Sequence, residues 1–231
     1  MAGQNRRVRL FQLIGQDEGY GSQVLEKRSV VCSEHSDIVC CLVSCEGRFY
    51  SAGYDRKIVI YDVSHHGDFK LVPSRIIKEA HDAAISTLVY GKDADNSWLI
   101  TGSFDRVVKL WSLDGNLMQR FDGFNQIISS VCYVVSSQTL WVSAASPVPI
   151  VFDPRSGFNV SDFVRTDDER LHNYGVGFGF RTFLYVPETH EVIGISTRRS
   201  LTFWRYNQAA PLTVLPGKVR LIKATKISLN V

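Results

Sequence analysis

One eleven-residue pattern occurs twice, fifty residues apart: SAGYDRKIVIY at 51–61 and TGSFDRVVKLW at 101–111. Each copy opens on a hydroxyl residue, Ser51 or Thr101. An aspartate follows four positions on, Asp55 or Asp105, and an aromatic six beyond that, Tyr61 or Trp111. A histidine lies upstream of each copy, at His35 and His81. Recurrence at this period means a chain of stacked units, each one supersecondary element. Any function then sits on a surface assembled from several units.

The apolar segments between these landmarks are short. Residues 38–43, 48–52 and 57–61 read as three strands, and 84–90, 98–101 and 107–111 repeat them. The order returns at 128–134, 139–142 and 149–152, and again at 183–185, 192–195 and 201–204. Short strands parted by turn signals, without helical periodicity, specify an all-β chain. Asp114–Gly115 and Ser156–Gly157 follow the third strand of their units, where a hairpin into a fourth strand is expected. Outer-strand candidates are 76–77, 117–121 and 159–164. Residues 165–182 are charged and then Gly-rich, which reads as an extended loop.

Composition bounds the chemistry. With 231 residues, 45% hydrophobic and 21% charged, the chain can bury a sizeable core and does not have a disordered composition. No stretch approaches eighteen apolar residues, so no membrane span is expected, and 1–7 make a poor signal peptide. Net charge is +3, too mild to imply nucleic acid. The five cysteines are Cys32, Cys40, Cys41, Cys45 and Cys132. An odd count favours reduced thiols and an intracellular, cytoplasmic setting. Cys40 and Cys41, adjacent on a strand, should point to opposite faces, which argues for buried small hydrophobes and against zinc. No metal signature, phosphate loop, dinucleotide motif or nucleophile elbow occurs, so no cofactor is expected.

The residues His35, Ser51, Asp55 and Tyr61, and again His81, Thr101, Asp105 and Trp111, resemble the WD40-repeat β-propeller family. The resemblance implies blades of four antiparallel strands. It also implies a network in each full blade, running from the turn Asp through the His to the Ser or Thr and on to the aromatic. Tyr61 replaces the usual Trp and still offers a hydroxyl. The likeness is full over 30–160 and partial over 161–206. The third unit lacks both the His and the turn Asp, and the fourth keeps Trp204 alone. Those two units should be held by apolar packing more than by the network. A His–Asp–Ser set also has the composition of a catalytic triad. It occurs here twice in equivalent places, as structural sets do and active sites do not.

The expected organisation is a single WD40-repeat domain over 1–231. Its blades lie at about 30–75, 76–122, 123–164 and 178–210, with a closing strand at 8–13 and a partial tail unit at 211–231. Four blades are few, so the propeller reads as partial or truncated. The alternatives are an arc completed by a partner, and a small ring closed by 8–13 joining the terminal strands. Loops on a rigid frame carry function. The turn residues Tyr54, Arg56, Phe104 and Arg106, with Arg198 and Arg199 of the fourth unit, are aromatic and Arg side chains of the kind that anchor protein interfaces. The implied role is a non-catalytic interaction scaffold or structural subunit of an intracellular assembly, with a ciliary axoneme the specific expectation. Partners would be proteins covering the propeller edges. Alternatives are an adaptor in a trafficking, ubiquitin-ligase or chromatin complex, or a propeller-based enzyme or small-molecule binder.

Overall fold

The computed structural model describes residues 3–14, 25–64, 70–146, 149–160, 179–196, 201–206 and 224–229. All regular structure among them is β. Contacts gather into two compact units, Met1–Leu88 and Val89–Val231. Repeat elements make most of their contacts within and beside themselves, so a chain of them divides readily.

In the first unit, β1 (Val8–Ile14) pairs antiparallel with β2 (Leu25–Cys32). A four-stranded antiparallel sheet follows, with β3 (Val39–Cys45), β4 (Arg48–Gly53), β5 (Ile58–Ser64) and β6 (Lys70–Ile77) in sequence order. The β3–β4 hairpin turns on Glu46 and Gly47, both at positive φ (47° and 76°), between the paired Cys45 and Arg48. Two left-handed residues match the twist of the flanking strands. Val8 and Cys32 pack on Val39, Val59, Tyr61 and Leu71, which joins the hairpin to the sheet. The Cys32 thiol adds a hydrogen bond to the Leu71 carbonyl at 3.3 Å.

The strand at 8–13, expected as a closing strand, has β2 as its partner among the described residues. Its partner β2 escaped the sequence reading, because charged Glu26, Lys27 and Arg28 interrupt its apolar pattern. Cys40 and Cys41 also depart from expectation. The register of β3 against β4 shifts between Val39 and Cys41, and the two sulfurs lie 3.4 Å apart instead of on opposite faces. Cys32, Cys45 and Cys132 are buried, whereas Cys40 is exposed and Cys41 half-buried.

The division between units falls within β7 (Ile85–Lys92), which forms a sheet in the order β10-β9-β8-β7 with β8 (Ser97–Ser103), β9 (Val108–Trp111) and β10 (Leu117–Phe121). A three-stranded sheet of β11 (Ser130–Val134), β12 (Thr139–Ser143) and β13 (Ile150–Phe152) follows, with one further bridge from Phe152 to Asn159. The last sheet runs β14 (Phe180–Val186), β15 (Glu191–Ser196), β16 (Leu201–Tyr206) and β17 (Ala224–Leu229).

β17 pairs with β16, from Leu201↔Leu229 to Tyr206↔Ala224. The tail expected to begin another unit instead supplies the fourth strand of this sheet. An edge strand left unpaired exposes a row of backbone donors and acceptors, and β17 covers that row on β16.

Apolar packing joins the sheets of the second unit. Trp98, Ile100, Val108 and Leu110 meet Val131, Tyr133, Leu140, Val142 and Phe152 in one core. Phe121 and Phe124 flank Phe152 with ring centroids at 5.0 and 5.6 Å. A second core brings Cys132, Val134, Trp141 and Val151 onto Phe180, Phe183 and Val192. No helix among the described residues is long and apolar enough to cross a membrane.

Candidate functional site

The turn between β4 and β5 organises the first unit. Gly53, Tyr54, Asp55 and Arg56 reverse the chain, with the Arg56 N–H donating to the Gly53 carbonyl at 3.2 Å. The Tyr54 N–H reaches back to the Ile38 carbonyl at 2.9 Å. A Cβ on Gly53 would collide with the Ile38 carbonyl oxygen, so glycine is what lets the incoming segment approach.

The Asp55 side chain is 3% exposed and gathers several donors. His35 Nδ1 lies 3.0 Å from Oδ1, the Ser36 N–H 2.9 Å from Oδ2, and the Lys57 N–H 3.3 Å from Oδ1. Lys57 Nζ stands 3.6 Å from Oδ2. On the far side of the imidazole, His35 Nε2 is 2.7 Å from Ser51 Oγ, and Ser51 Oγ is 3.4 Å from the Tyr61 hydroxyl. In the neutral tautomer protonated on Nδ1, Ser51 donates to Nε2. In the imidazolium, Nε2–H donates to Ser51, whose own proton turns to Tyr61. Either way the four side chains link the incoming loop, the turn, β4 and β5.

Burial pushes the Asp55 carboxyl up, but the His35 hydrogen bond, the Ser36 N–H, the His35 charge and the Lys57 N–H outweigh it and hold the group at about 2. An aspartate depressed from its ordinary value near 4 stabilises the fold above that value and stops doing so as pH falls to about 2. The contribution is roughly 2 kcal/mol. Thermal unfolding between pH 5 and pH 2 should therefore show the gap between wild type and Asp55→Asn narrowing by about that amount. A gap independent of pH would contradict the assignment. Burial pushes the Tyr61 phenol up to about 12, so Tyr61 acts as a neutral hydrogen-bonding group.

The second copy has a related arrangement. Trp111 Nε1 donates to Thr101 Oγ1 at 2.9 Å, and the Val107 N–H donates to Asp105 Oδ1 at 3.0 Å. The Arg106 N–H closes the turn on the Ser103 carbonyl at 3.2 Å. Lys109 Nζ stands 5.8 Å from the Trp111 ring centroid. His81 is 1% exposed on the loop between β6 and β7.

Strand register explains the later units. Ser51 pairs with Val59 and Thr101 with Lys109, each two residues before the aromatic. The matching pairs are Val142 with Ile150, before Phe152, and Gly194 with Thr202, before Trp204. In the third unit the hydroxyl and its aromatic donor are thus both replaced by apolar groups. Replacing both partners avoids the cost of leaving one unpaired. The sequence reading missed a second set of polar ties there. Ser129 Oγ donates to the Arg181 carbonyl at 2.9 Å, Ser130 Oγ lies 3.0 Å from Thr182 Oγ1, and Ser143 Oγ bonds the Phe180 carbonyl. These hydroxyls join β11 and β12 to β14, so the two sheets do not rely on apolar contact alone.

Tyr54 and Phe104 are 40% and 36% exposed, and Arg56 and Arg106 are also exposed. Both arginines sit at positive φ, 66° and 67°. A non-glycine residue in this region costs about 1 kcal/mol. Phe158, 73% exposed beyond β13, and Met118 on β10 are further exposed apolar side chains that the sequence reading passed over. A lone Phe or Met gives no periodic signal. Arg198 and Arg199 lie outside the described residues, as does the side chain of Trp204.

The family model for the WD40 repeat (WD domain, G-beta repeat) matches residues 26–62 and 73–112. Among solved structures, the chain is similar to one in "Crystal Structure of Mitotic Checkpoint Complex", with a TM-score of 0.60 and 17% identity. The match covers 77% of this chain and 51% of the other, so this chain spans about half the length of that one. The repeat matches and the four-stranded antiparallel sheets show a WD40-type β-propeller fold.

Proposed function

We propose that this WD40-repeat chain is a non-catalytic protein-interaction scaffold within a larger assembly, and that it engages partners through the β4–β5 and β8–β9 turns. The observation that carries this reading is the recurrence of an exposed aromatic beside an arginine in a left-handed conformation, Tyr54–Arg56 and Phe104–Arg106. Glycine would occupy that backbone conformation at no steric cost. An arginine held there twice contributes little to the fold and offers a planar, multiply donating group beside a ring. Such pairs form the anchors of protein interfaces.

The His–Ser–Asp set supports the same reading. His35 and Ser51 are buried, and the hydrogen bonds of the set end on backbone and strand residues of its own sheet. A nucleophile needs access to a substrate, and buried Ser51 lies between His35 and Tyr61.

Arg56→Gly should leave stability within about 1 kcal/mol of wild type, since relief of the backbone conformation offsets the added chain entropy. In affinity capture from cell extract with quantitative mass spectrometry, Tyr54→Ala with Arg56→Ala should lower recovery of specific partners by about tenfold or more. The same is expected of Phe104→Ala with Arg106→Ala. Unchanged recovery with both folded double variants would overturn the assignment. An activity lost on Ser51→Ala with the fold intact would favour an enzyme instead.

A further inference from the structure

The thiols of Cys40 and Cys41 form a pair that a regular strand would keep apart. Val39 pairs with Gly53 and Cys41 with Ala52, which leaves Cys40 as the extra residue of a bulge. The bulge brings the two sulfurs to 3.4 Å. Cys40 is exposed, and its sulfur also lies 2.9 Å from the Ile85 carbonyl oxygen and 3.7 Å from that of Ala52. Cys41 is half-buried behind it, and the remaining three cysteines are buried. An exposed cysteine thus has a second sulfur within reach.

We propose that Cys40 and Cys41 are a reversible oxidation site whose substrate is a hydroperoxide, closing to a disulfide between neighbouring residues. With hydrogen peroxide, the Cys40 thiolate attacks one oxygen. An S–O bond forms, the O–O bond breaks, and the departing hydroxide takes up a proton to leave as water. The Cys41 sulfur then attacks the Cys40 sulfenic sulfur. The S–S bond forms, the S–O bond breaks, and the hydroxide leaves with the Cys41 proton as a second water. Two thiols lose two electrons and the peroxide gains them.

The order of attack follows from the surroundings. A hydrogen bond from Cys41 holds the Cys40 thiol below the ordinary thiol range. That same bond and burial push Cys41 well above it. A cysteine on an exposed residue, its thiol held below the usual range and a second thiol beside it, has the arrangement of redox-sensing cysteines. Neighbouring Cα atoms stand about 3.8 Å apart, closer than relaxed disulfides span. The bond formed would be strained and easily reduced, which makes the closure reversible. Closure also removes the Cys40 S–H that reaches Ile85, a tie between β3 and the start of β7.

The test uses the whole reduced chain, one equivalent of hydrogen peroxide, maleimide blocking, and non-reducing digestion with fragment sequencing. The expected product lacks two hydrogens at Cys40–Cys41 and takes no maleimide there, while Cys32, Cys45 and Cys132 label as in untreated protein. Dithiothreitol should restore both thiols. Cys41→Ser should instead leave a dimedone-reactive sulfenic acid at Cys40. Cys40→Ser should slow oxidation at Cys41 by about tenfold or more. Unchanged labelling of the pair, oxidation of Cys40 to sulfinic acid without closure, or disulfides between chains as the main product would each overturn the proposal.

Discussion

Asp55→Ala should lower the stability of the protein by about 2–4 kcal/mol. The substitution removes the acceptor for His35 Nδ1, the Ser36 N–H and the Lys57 N–H together, all beside a carboxylate only 3% exposed. The buried imidazole of His35 keeps Ser51 on one side and loses its partner on the other. Denaturant unfolding should show the midpoint falling with little change in slope, as for a loss of stability without a change in the surface exposed. A loss below about 0.5 kcal/mol would mean that water replaces the carboxylate at no cost, and that the turn is held by its backbone alone.

Trp111→Ala should cost about 3–5 kcal/mol, because it empties a large buried volume as well as breaking a hydrogen bond. Trp111 is buried on β9, donates to Thr101 and lies under the Lys109 ammonium group. Trp111→Phe keeps most of the ring volume and loses the indole N–H, so its cost should be about 1–2 kcal/mol. The two variants separate packing from hydrogen bonding by equilibrium unfolding. Equal losses in both would show that the N–H, and not the volume, carries the effect.

The order of β3, β4 and β5 and the linked side chains His35, Ser51, Asp55 and Tyr61 are legible in the sequence because they rest on local periodicity and on residue types at fixed spacing. Ser51, Asp55 and Tyr61 lie within one hairpin, and His35 precedes it by one strand. What sequence hides is long-range pairing and irregular backbone. β2 carries charges that mask its alternation, so the sequence pattern offers β1 no neighbour. β17 returns to β16 across a long connection, and nothing in its own pattern marks it as closing a sheet. The Cys40–Cys41 contact depends on a single register shift, which no side-chain pattern announces. The serine ties from β11 and β12 to β14 went unseen because their acceptors are largely backbone carbonyls, Phe180 and Arg181, and every residue has one.

The proposed binding surface is less legible than the network for a related reason. Tyr54 and Phe104 stand out because the repeat places them at equivalent turn positions, whereas Phe158 and Met118 occur once each. The left-handed backbone of Arg56 and Arg106 adds a conformational observation that sequence alone lacks, since arginine is not a residue that marks positive φ.

His35, Ser51 and Asp55 act as one structural tie in the first copy of the repeat. A double-mutant cycle on the first copy, with His35→Ala, Asp55→Ala and the pair together measured by equilibrium unfolding, tests it most directly. Removing either partner breaks the same bond, so the double variant should be more stable than the sum of the single losses implies, by about 1 kcal/mol or more. Losses that add to within about 0.3 kcal/mol would show that His35 and Asp55 act independently and would contradict the claim.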